Sequence, residues 1–285
     1  MLVDVGDGKH LDCEYRQGSP TIVYLHGSGE NKTVWNIIAD YFCSLGFGAV
    51  MPDLIGHGNS SLIREFDEVS LIGCTGHVSR IIEAGEISEP VIIAGNSVGG
   101  TIGIDAAARY PGMVDGLVLL AAQYDMGRNL SPYGQINIKD ARRQRLRFLL
   151  EVKKGNHNPN AHYVDFCNDP EVQENVGFQL RHAVVNIMSY SHLVSAFTFG
   201  HASKDWNTAP EDARVRGSIA IQGTNDGITL PEVPRELSDL IPNSAEPVFI
   251  DGAHHDLPYK HADKVMPVMK GFLRGMCPDR FEDAV

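Results

Sequence analysis

A serine flanked by glycines stands in the first half of the chain, where residues 95–99 read Gly-Asn-Ser-Val-Gly. An apolar run at 91–94 precedes it, and a helix-compatible run at 101–110 follows it. G-x-S-x-G between a strand and a helix is typical of a nucleophile elbow, a tight and strained turn that lifts the serine hydroxyl out of a sheet. The start of the helix adds N–H groups and a dipole. The pattern predicts Ser97 as a nucleophile; the alternative is a glycine-rich turn with an incidental serine.

Two further segments carry residues that could assist Ser97. A serine hydroxyl is a weak nucleophile at neutral pH and needs a base, which in turn needs an orienting acid. Asp226 follows an apolar run at 218–222, and a histidine pair at 254–255 follows another at 247–250. Because ligand sites of parallel sheets form at the carboxyl ends of the strands, these loops are expected to meet there. The pattern predicts a Ser-His-Asp site; loop residues with purely structural hydrogen bonds are the alternative.

A second glycine-rich segment, His-Gly-Ser-Gly at 26–29, follows the apolar run 22–25. Its glycines allow the backbone to approach a substrate carbonyl and to aim an N–H group at developing negative charge. Paired with the N–H of Val98, this segment would form an oxyanion hole. Asp53 and His57 follow the next apolar run, and both are predicted to shape the loop beneath the site rather than to react.

Alternating elements must position these loops. Strands are predicted at 22–25, 48–51, 91–94, 116–121, 218–222 and 247–250, and helices at 33–45, 69–84, 98–110, 233–240 and 262–273. Short apolar runs that alternate with helix-period segments are typical of βα units. The sequence therefore predicts an α/β fold with a mostly parallel central sheet flanked by helices.

The exception is a stretch of about ninety residues, from about 125 to 215, that contains prolines and helix-like pieces but no strand-like run. We interpret it as an inserted helical cap, so the predicted organisation is a first core part at 1–126, a cap at 127–215 and a second core part at 216–285. Seven Lys and Arg residues between Lys139 and Lys154 mark the first cap helix. They are interpreted as a solvated face, and an anion-attracting rim is the alternative.

Substrate contacts are predicted mainly near the end of the cap, where aromatic side chains such as Phe199 concentrate. An apolar pocket with a few polar groups is the usual form of a small-molecule site. The alternative is that these side chains join the cap to the core. The predicted substrate-binding residues are Gly27, Asn96, Met188, His192, Phe197 and Trp206.

Composition excludes several other classes of protein. The 285 residues include 24 Lys and Arg against 36 Asp and Glu, a formal charge of −12, which argues against a nucleic-acid partner. Five cysteines without a CxxC spacing indicate neither a zinc cluster nor a disulfide framework, and favour a reducing compartment. No apolar run reaches membrane-spanning length. We expect a cytoplasmic protein that acts on a small molecule, with no membrane partner; a homodimer stays open as an assembly.

Taken together, the motifs resemble those of the α/β-hydrolase superfamily, from about residue 21 to 274 apart from the cap. The resemblance implies an α/β-hydrolase fold with Ser97 as nucleophile, Asp226 as acid and His255 as base. His254 is the alternative base, and Asp125, past the run 116–121, is the alternative acid. Such a mechanism needs no metal and no organic cofactor.

The resemblance also implies the amides of Ser28 and Val98 as oxyanion donors. The segments 26–29, 95–100 and 261–263 are partly similar to those of the carbon–carbon bond hydrolases of meta-cleavage pathways. Two positions depart from that group: Glu-Asn-Lys at 30–32 replaces a common Pro-Gly-Ala, and Asp256 replaces a common Trp.

The resemblance implies a serine hydrolase that acts through an acyl-enzyme on a small to medium carbonyl substrate, with a carboxylic ester or lactone as the preferred class. The alternative hydrolytic reaction is carbon–carbon cleavage of a diketone-like substrate. Two readings from other classes stay open, because a fold does not settle function: a small-ligand receptor on the same fold, and a lyase or cofactor-free oxygenase.

Overall fold

The computed structural model describes residues 1–63, 68–85, 87, 90–129, 199, 203 and 206–281. These residues contain a central sheet whose strands are β1 (Leu2–Gly6), β2 (Lys9–Arg16), β3 (Thr21–Leu25), β4 (Gly48–Pro52), β5 (Val91–Asn96), β6 (Gly116–Leu120), β7 (Gly217–Gly223) and β8 (Val248–Ile250). Their spatial order is β1-β2-β4-β3-β5-β6-β7-β8. The six strands β3 to β8 pair in parallel, and β2 joins β4 antiparallel.

The six predicted strands, β3 to β8, are confirmed to within two residues at each end. Every residue of β3 to β7 is buried. Parallel strands covered on both faces need such continuous apolar runs, which explains why these strands are visible in the sequence.

The first two strands were not predicted. They form an antiparallel hairpin at the edge of the sheet, with buried and exposed residues mixed along both strands. The turn is Asp7-Gly8, and both residues have positive φ, 54° and 69°. A two-residue turn with positive φ at both positions matches the right-handed twist of a hairpin, and Asp-Gly is one of its preferred sequences. This turn was the signal that could have revealed the hairpin.

Helices cover both faces of the sheet. They are α1 (Asn36–Ser44), α2 (Leu71–Ala84), α3 (Val98–Arg109), α4 (Val233–Leu240), α5 (Leu257–Lys260) and α6 (Ala262–Met276). The five predicted helices are confirmed, and α5 is an addition. Two hydrophobic clusters result: the inner faces of α2 and α3 pack on one side of the sheet, and those of α1 and α6 on the other. This double layer holds the strand ends, and the loops that follow them, in fixed positions.

The predicted cap falls between β6, which ends at Leu120, and β7, which begins at Gly217. Most of it, including its basic first helix, lies outside the described residues, so the cap and the three-part division stay predictions. In the part of the chain that the structure describes, no helix combines the length and apolar character needed to cross a membrane.

Candidate active site

Ser97 occupies the junction of β5 and α3 in a strained backbone conformation. Its φ of 51° and ψ of −121° lie in a region that residues other than glycine rarely adopt. The Ser97 N–H donates to the Leu120 carbonyl at 2.9 Å, which continues the pairing of β5 with β6. The Ser97 carbonyl accepts from the amides of Gly100 and Thr101, so it also begins α3. The residue is partly exposed at the sheet edge.

Two glycines allow this turn because the backbone passes itself closely. A Cβ atom on Gly95 would overlap the backbone of Gly99 and Gly100, and a Cβ atom on Gly99 would overlap the carbonyl oxygen of Leu25. The glycines of G-x-S-x-G are therefore required by packing as well as by the turn. Gly99 also brings α3 against the end of β3, which leads into the segment 26–29.

His255 and Asp226 face each other on the loops after β8 and β7. His255 Nδ1 lies 2.9 Å from Asp226 Oδ2, and the two side chains are 2% and 0% exposed. The second oxygen of Asp226 accepts the amides of Ile228 at 2.8 Å and Thr229 at 3.0 Å. The carboxylate is thereby fixed with one oxygen toward the ring, where it holds a proton on Nδ1 and leaves Nε2 as the basic nitrogen.

Charge at this pair favours the imidazolium. Burial of His255 disfavours the charged ring, but the Asp226 charge and hydrogen bond outweigh burial and raise the pKa of His255 above its ordinary value, with a further contribution from Glu30. A base that must accept a serine proton benefits from such stabilisation of its protonated form.

The alternative base and acid lie in other surroundings. His254 Nδ1 is buried with no hydrogen-bond partner among the described residues. Asp125 Oδ1 accepts the amide of Arg128 at 3.0 Å, and the Asp125 amide donates to Asn129 Oδ1, so that Asp125 builds a turn. The structure brings His255, and not His254, to Asp226.

Two backbone amides of the segment 26–29 donate hydrogen bonds within the protein, and the amide between them does not in the part of the chain that the structure describes. Gly27 N–H donates to Glu30 Oε2 at 2.5 Å, and Gly29 N–H donates to His57 Nε2 at 3.0 Å. Among the described residues no acceptor is found for the amide of Ser28 between them, or for that of Val98 at the start of α3. Ser28 is exposed. These are the two amides predicted as oxyanion donors.

Two neutral histidines hold this loop against the loop after β4. His26 Nε2 accepts the Leu54 amide at 2.9 Å and His57 Nε2 accepts the Gly29 amide, so each ring carries its proton on Nδ1, which donates to a carbonyl. Burial lowers the pKa of His26 to about 4 and that of His57 to about 3. Asp53 accepts Lys32 Nζ at 2.8 Å below the same loop. These contacts agree with the structural role predicted for His57 and Asp53.

Glu30 is a residue of the site whose role sequence reasoning missed. It is 5% exposed, and its carboxyl group lies between Gly27 and Asn96, whose Nδ2 is 3.3 Å from Oε2. Burial raises the pKa of Glu30 to about 7, against the opposing effects of these hydrogen bonds and of the nearby His255. Its signal in the sequence was a charged residue directly after the segment 26–29. The side chain of Asn96, predicted to bind substrate, is fully buried against Glu30; a substrate contact for Asn96 or Gly27 stays a prediction.

The aromatic residues described near the end of the predicted cap pack on the core. The Trp206 and Phe199 ring centroids are 5.6 Å apart, and Phe199 contacts the His57 ring edge-on at 4.8 Å. Phe199 is fully buried and Trp206 is 7% exposed. For these two residues the contacts favour the alternative interpretation, in which their side chains join the predicted cap to the core. The other predicted pocket residues, Met188, His192 and Phe197, lie outside the described residues.

Comparisons with known proteins agree with this architecture. A family model described as serine aminopeptidase, S33, matches residues 17–260. An uncharacterized protein of Mycobacterium tuberculosis is 33% identical over 103 residues, 36% of this chain but only 29% of that protein's length.

Two solved structures are similar over nearly the whole chain. One is a thermophilic esterase from Thermogutta terrifontis, at a TM-score of 0.71 and 19% identity over 96% of this chain and 98% of that one. The other is the enol-lactonase from Burkholderia xenovorans, with a TM-score of 0.72 and 19% identity. The match covers 95% of this chain and 99% of that one. At this identity the similarity establishes the α/β-hydrolase fold.

Proposed function

We propose that this chain, which belongs to the serine aminopeptidase S33 family of α/β hydrolases, is a serine hydrolase that acts on small to medium carbonyl compounds. Carboxylic esters or lactones are its proposed substrate class. Ser97 is the proposed nucleophile, His255 the base, Asp226 the orienting acid, and the amides of Ser28 and Val98 the oxyanion donors.

The single observation that carries the proposal is the hydrogen bond from His255 Nδ1 to Asp226 Oδ2, 2.9 Å long and buried. It supports His255 rather than His254 as the base and Asp226 rather than Asp125 as the acid. It also belongs to the same carboxyl edge of the sheet as the strained turn at Ser97, as a hydrolytic triad requires.

In the proposed reaction His255 Nε2 takes the Ser97 proton while Oγ attacks the substrate carbonyl carbon. The carbonyl oxygen becomes an oxyanion, which accepts hydrogen bonds from the Ser28 and Val98 amides. The tetrahedral species then collapses, the protonated His255 gives its proton to the leaving alcohol, and an acyl-enzyme remains. Water, deprotonated by His255, attacks the acyl carbon in the same way, which releases the acid and restores Ser97.

The test is a multiple-turnover substrate panel with Ser97→Ala and a matched control. The panel contains short and aromatic aryl esters, a lactone, a vinylogous diketone and an amino-acid anilide. Ser44 lies at the exposed end of α1, so Ser44→Ala provides the control. We expect turnover of the ester or lactone by wild type and by Ser44→Ala, and a loss of about 10⁴-fold or more in kcat for Ser97→Ala.

Four outcomes overturn the proposal. Turnover of the diketone alone assigns carbon–carbon cleavage, and turnover of the anilide alone assigns amide hydrolysis. Stoichiometric labelling of Ser97 by a fluorophosphonate without multiple turnover of any substrate favours a ligand receptor. Wild-type activity in Ser97→Ala refutes the triad itself.

A further inference from the structure

Glu30 joins the two loops that hold the proposed oxyanion donors. It follows the segment 26–29 and accepts the Gly27 amide at 2.5 Å, next to the Ser28 amide in the chain. Its oxygens also lie 3.3 and 3.4 Å from Nδ2 of Asn96, next to Ser97. One carboxyl group therefore spans the gap between the loop after β3 and the elbow after β5.

The space for this carboxyl group is narrow. A Cβ atom on Gly27 would come within 2.9 Å of Glu30 Oε2 and within 3.2 Å of Asn96 Nδ2. Oδ1 of Asn96 is buried and has no hydrogen-bond partner among the described residues. The Asn96 amide can therefore serve either state of Glu30: its NH₂ donates to a carboxylate, and after an amide flip its Oδ1 accepts the proton of a carboxylic acid.

Two titratable side chains of the loop after β8 influence the charge of Glu30. His255 attracts its negative charge and Asp256 repels it, and Asp256 itself is paired with Lys260 at 3.2 Å. His26 and His57, on the side of the β3 and β4 loops, stay neutral near pH 7 because burial lowers the pKa of both rings. The charge that Glu30 can act on in the proposed mechanism is thus that of His255.

We propose that Glu30 is a positioning residue of this active site, whose carboxylate fixes the Ser28 amide against the elbow and supports the protonated form of His255. The proposal rests on the proposed function, since it assigns Ser28 and His255 the roles given above. Nothing in it requires Glu30 to touch substrate.

The proposal has a specific consequence for pH dependence. Active enzyme needs a neutral His255, and the negative charge of Glu30 contributes to the raised pKa of that ring. As the pH falls, log kcat/KM should therefore decrease when His255 takes up its proton, at a pH that the charge of Glu30 helps to set. Without the Glu30 charge the pKa of the ring falls because an attractive charge is lost.

Glu30→Gln is the decisive variant because its shape is retained. Its Oε1 can accept the Gly27 amide, and its NH₂ can donate to the flipped Asn96 amide. We expect the acid limb of kcat/KM to move to lower pH. Glu83, exposed on α2, gives the matched control Glu83→Gln, whose profile should overlay that of wild type.

Glu30→Ala removes the positioning contact as well as the charge. Deleting an oxyanion donor typically costs about 10²–10³ in kcat. A displaced donor costs less, so we expect a fall of about 10- to 100-fold in kcat with KM changed by about twofold or less. Unfolding by urea identifies a variant that fails to fold, and Glu30→Gln keeps the proposal testable in that case.

Titration of the His255 ring by NMR separates this proposal from the proposed function. The pKa of His255 should be lower in Glu30→Gln than in wild type, whether or not any ester is turned over. A His255 titration and a pH profile unchanged by Glu30→Gln refute the proposal. A uniform loss of rate with an unchanged profile assigns Glu30 a merely structural role and refutes it equally. Failure of the proposed function shows instead in Ser97→Ala.

Discussion

Substitution of Asp226 by asparagine should abolish activity by reversing the tautomer of His255. In the wild-type protein Oδ1 of Asp226 accepts the amides of Ile228 and Thr229, and Oδ2 faces His255 Nδ1. An asparagine must keep its oxygen toward those two amides, because the flipped side chain would set NH₂ against N–H twice. Its NH₂ group then faces Nδ1, which must accept, so the ring proton moves to Nε2 and the base is lost.

The magnitude follows from this tautomer change rather than from unfolding. A triad histidine with the wrong tautomer loses about 10⁴-fold in kcat, equivalent to about 5 kcal/mol of transition-state stabilisation. Steady-state hydrolysis of the best ester of the panel measures it, with urea unfolding to show that the fold is retained. Asp125→Asn is the control, because an asparagine oxygen can accept the Arg128 amide that Asp125 now accepts. Retention of more than about a tenth of kcat by Asp226→Asn would refute the reasoning.

Three further predictions concern stability. Gly99→Ala should lower the free energy of unfolding by about 3 kcal/mol or more, because its Cβ would overlap the Leu25 carbonyl, which belongs to the backbone. Gly271→Ala, where nothing lies within 4 Å of a Cβ inside α6, should instead raise it by about 0.5–1 kcal/mol in the same urea titration. Lys32→Met should cost about 3 kcal/mol, because Asp53, 2% exposed, loses its paired charge. If Lys32→Met lowers the free energy of unfolding by less than about 1 kcal/mol, backbone donors alone are enough to stabilise the buried Asp53 carboxylate.

What the sequence could predict depended on how local its signal was. Every residue of β3 to β7 is buried, and the elbow motif at 95–99 is contained within five residues. The hairpin β1–β2 lies at the sheet edge, where half-exposed strands give a weaker pattern. The buried position of Glu30 depends on a contact with Asn96, 66 positions away, and a pattern of apolar residues along the chain cannot predict such a contact. The resemblance already favoured His255 over His254, and the contact of His255 with Asp226 agrees with that choice.

The strain at Ser97 is maintained because relaxing it would break more than it releases. A residue in such a conformation costs about 1–3 kcal/mol. Rotation of Ser97 to an ordinary φ would disrupt its bond to Leu120 and the two bonds that its carbonyl accepts from Gly100 and Thr101. Each buried polar group left without a partner costs about 1–3 kcal/mol, so the strained turn is the lower-energy state of the folded chain. In the proposed mechanism the elbow and its oxyanion donors therefore need no reorganisation when substrate binds, which is the condition under which fixed N–H groups stabilise a transition state most effectively.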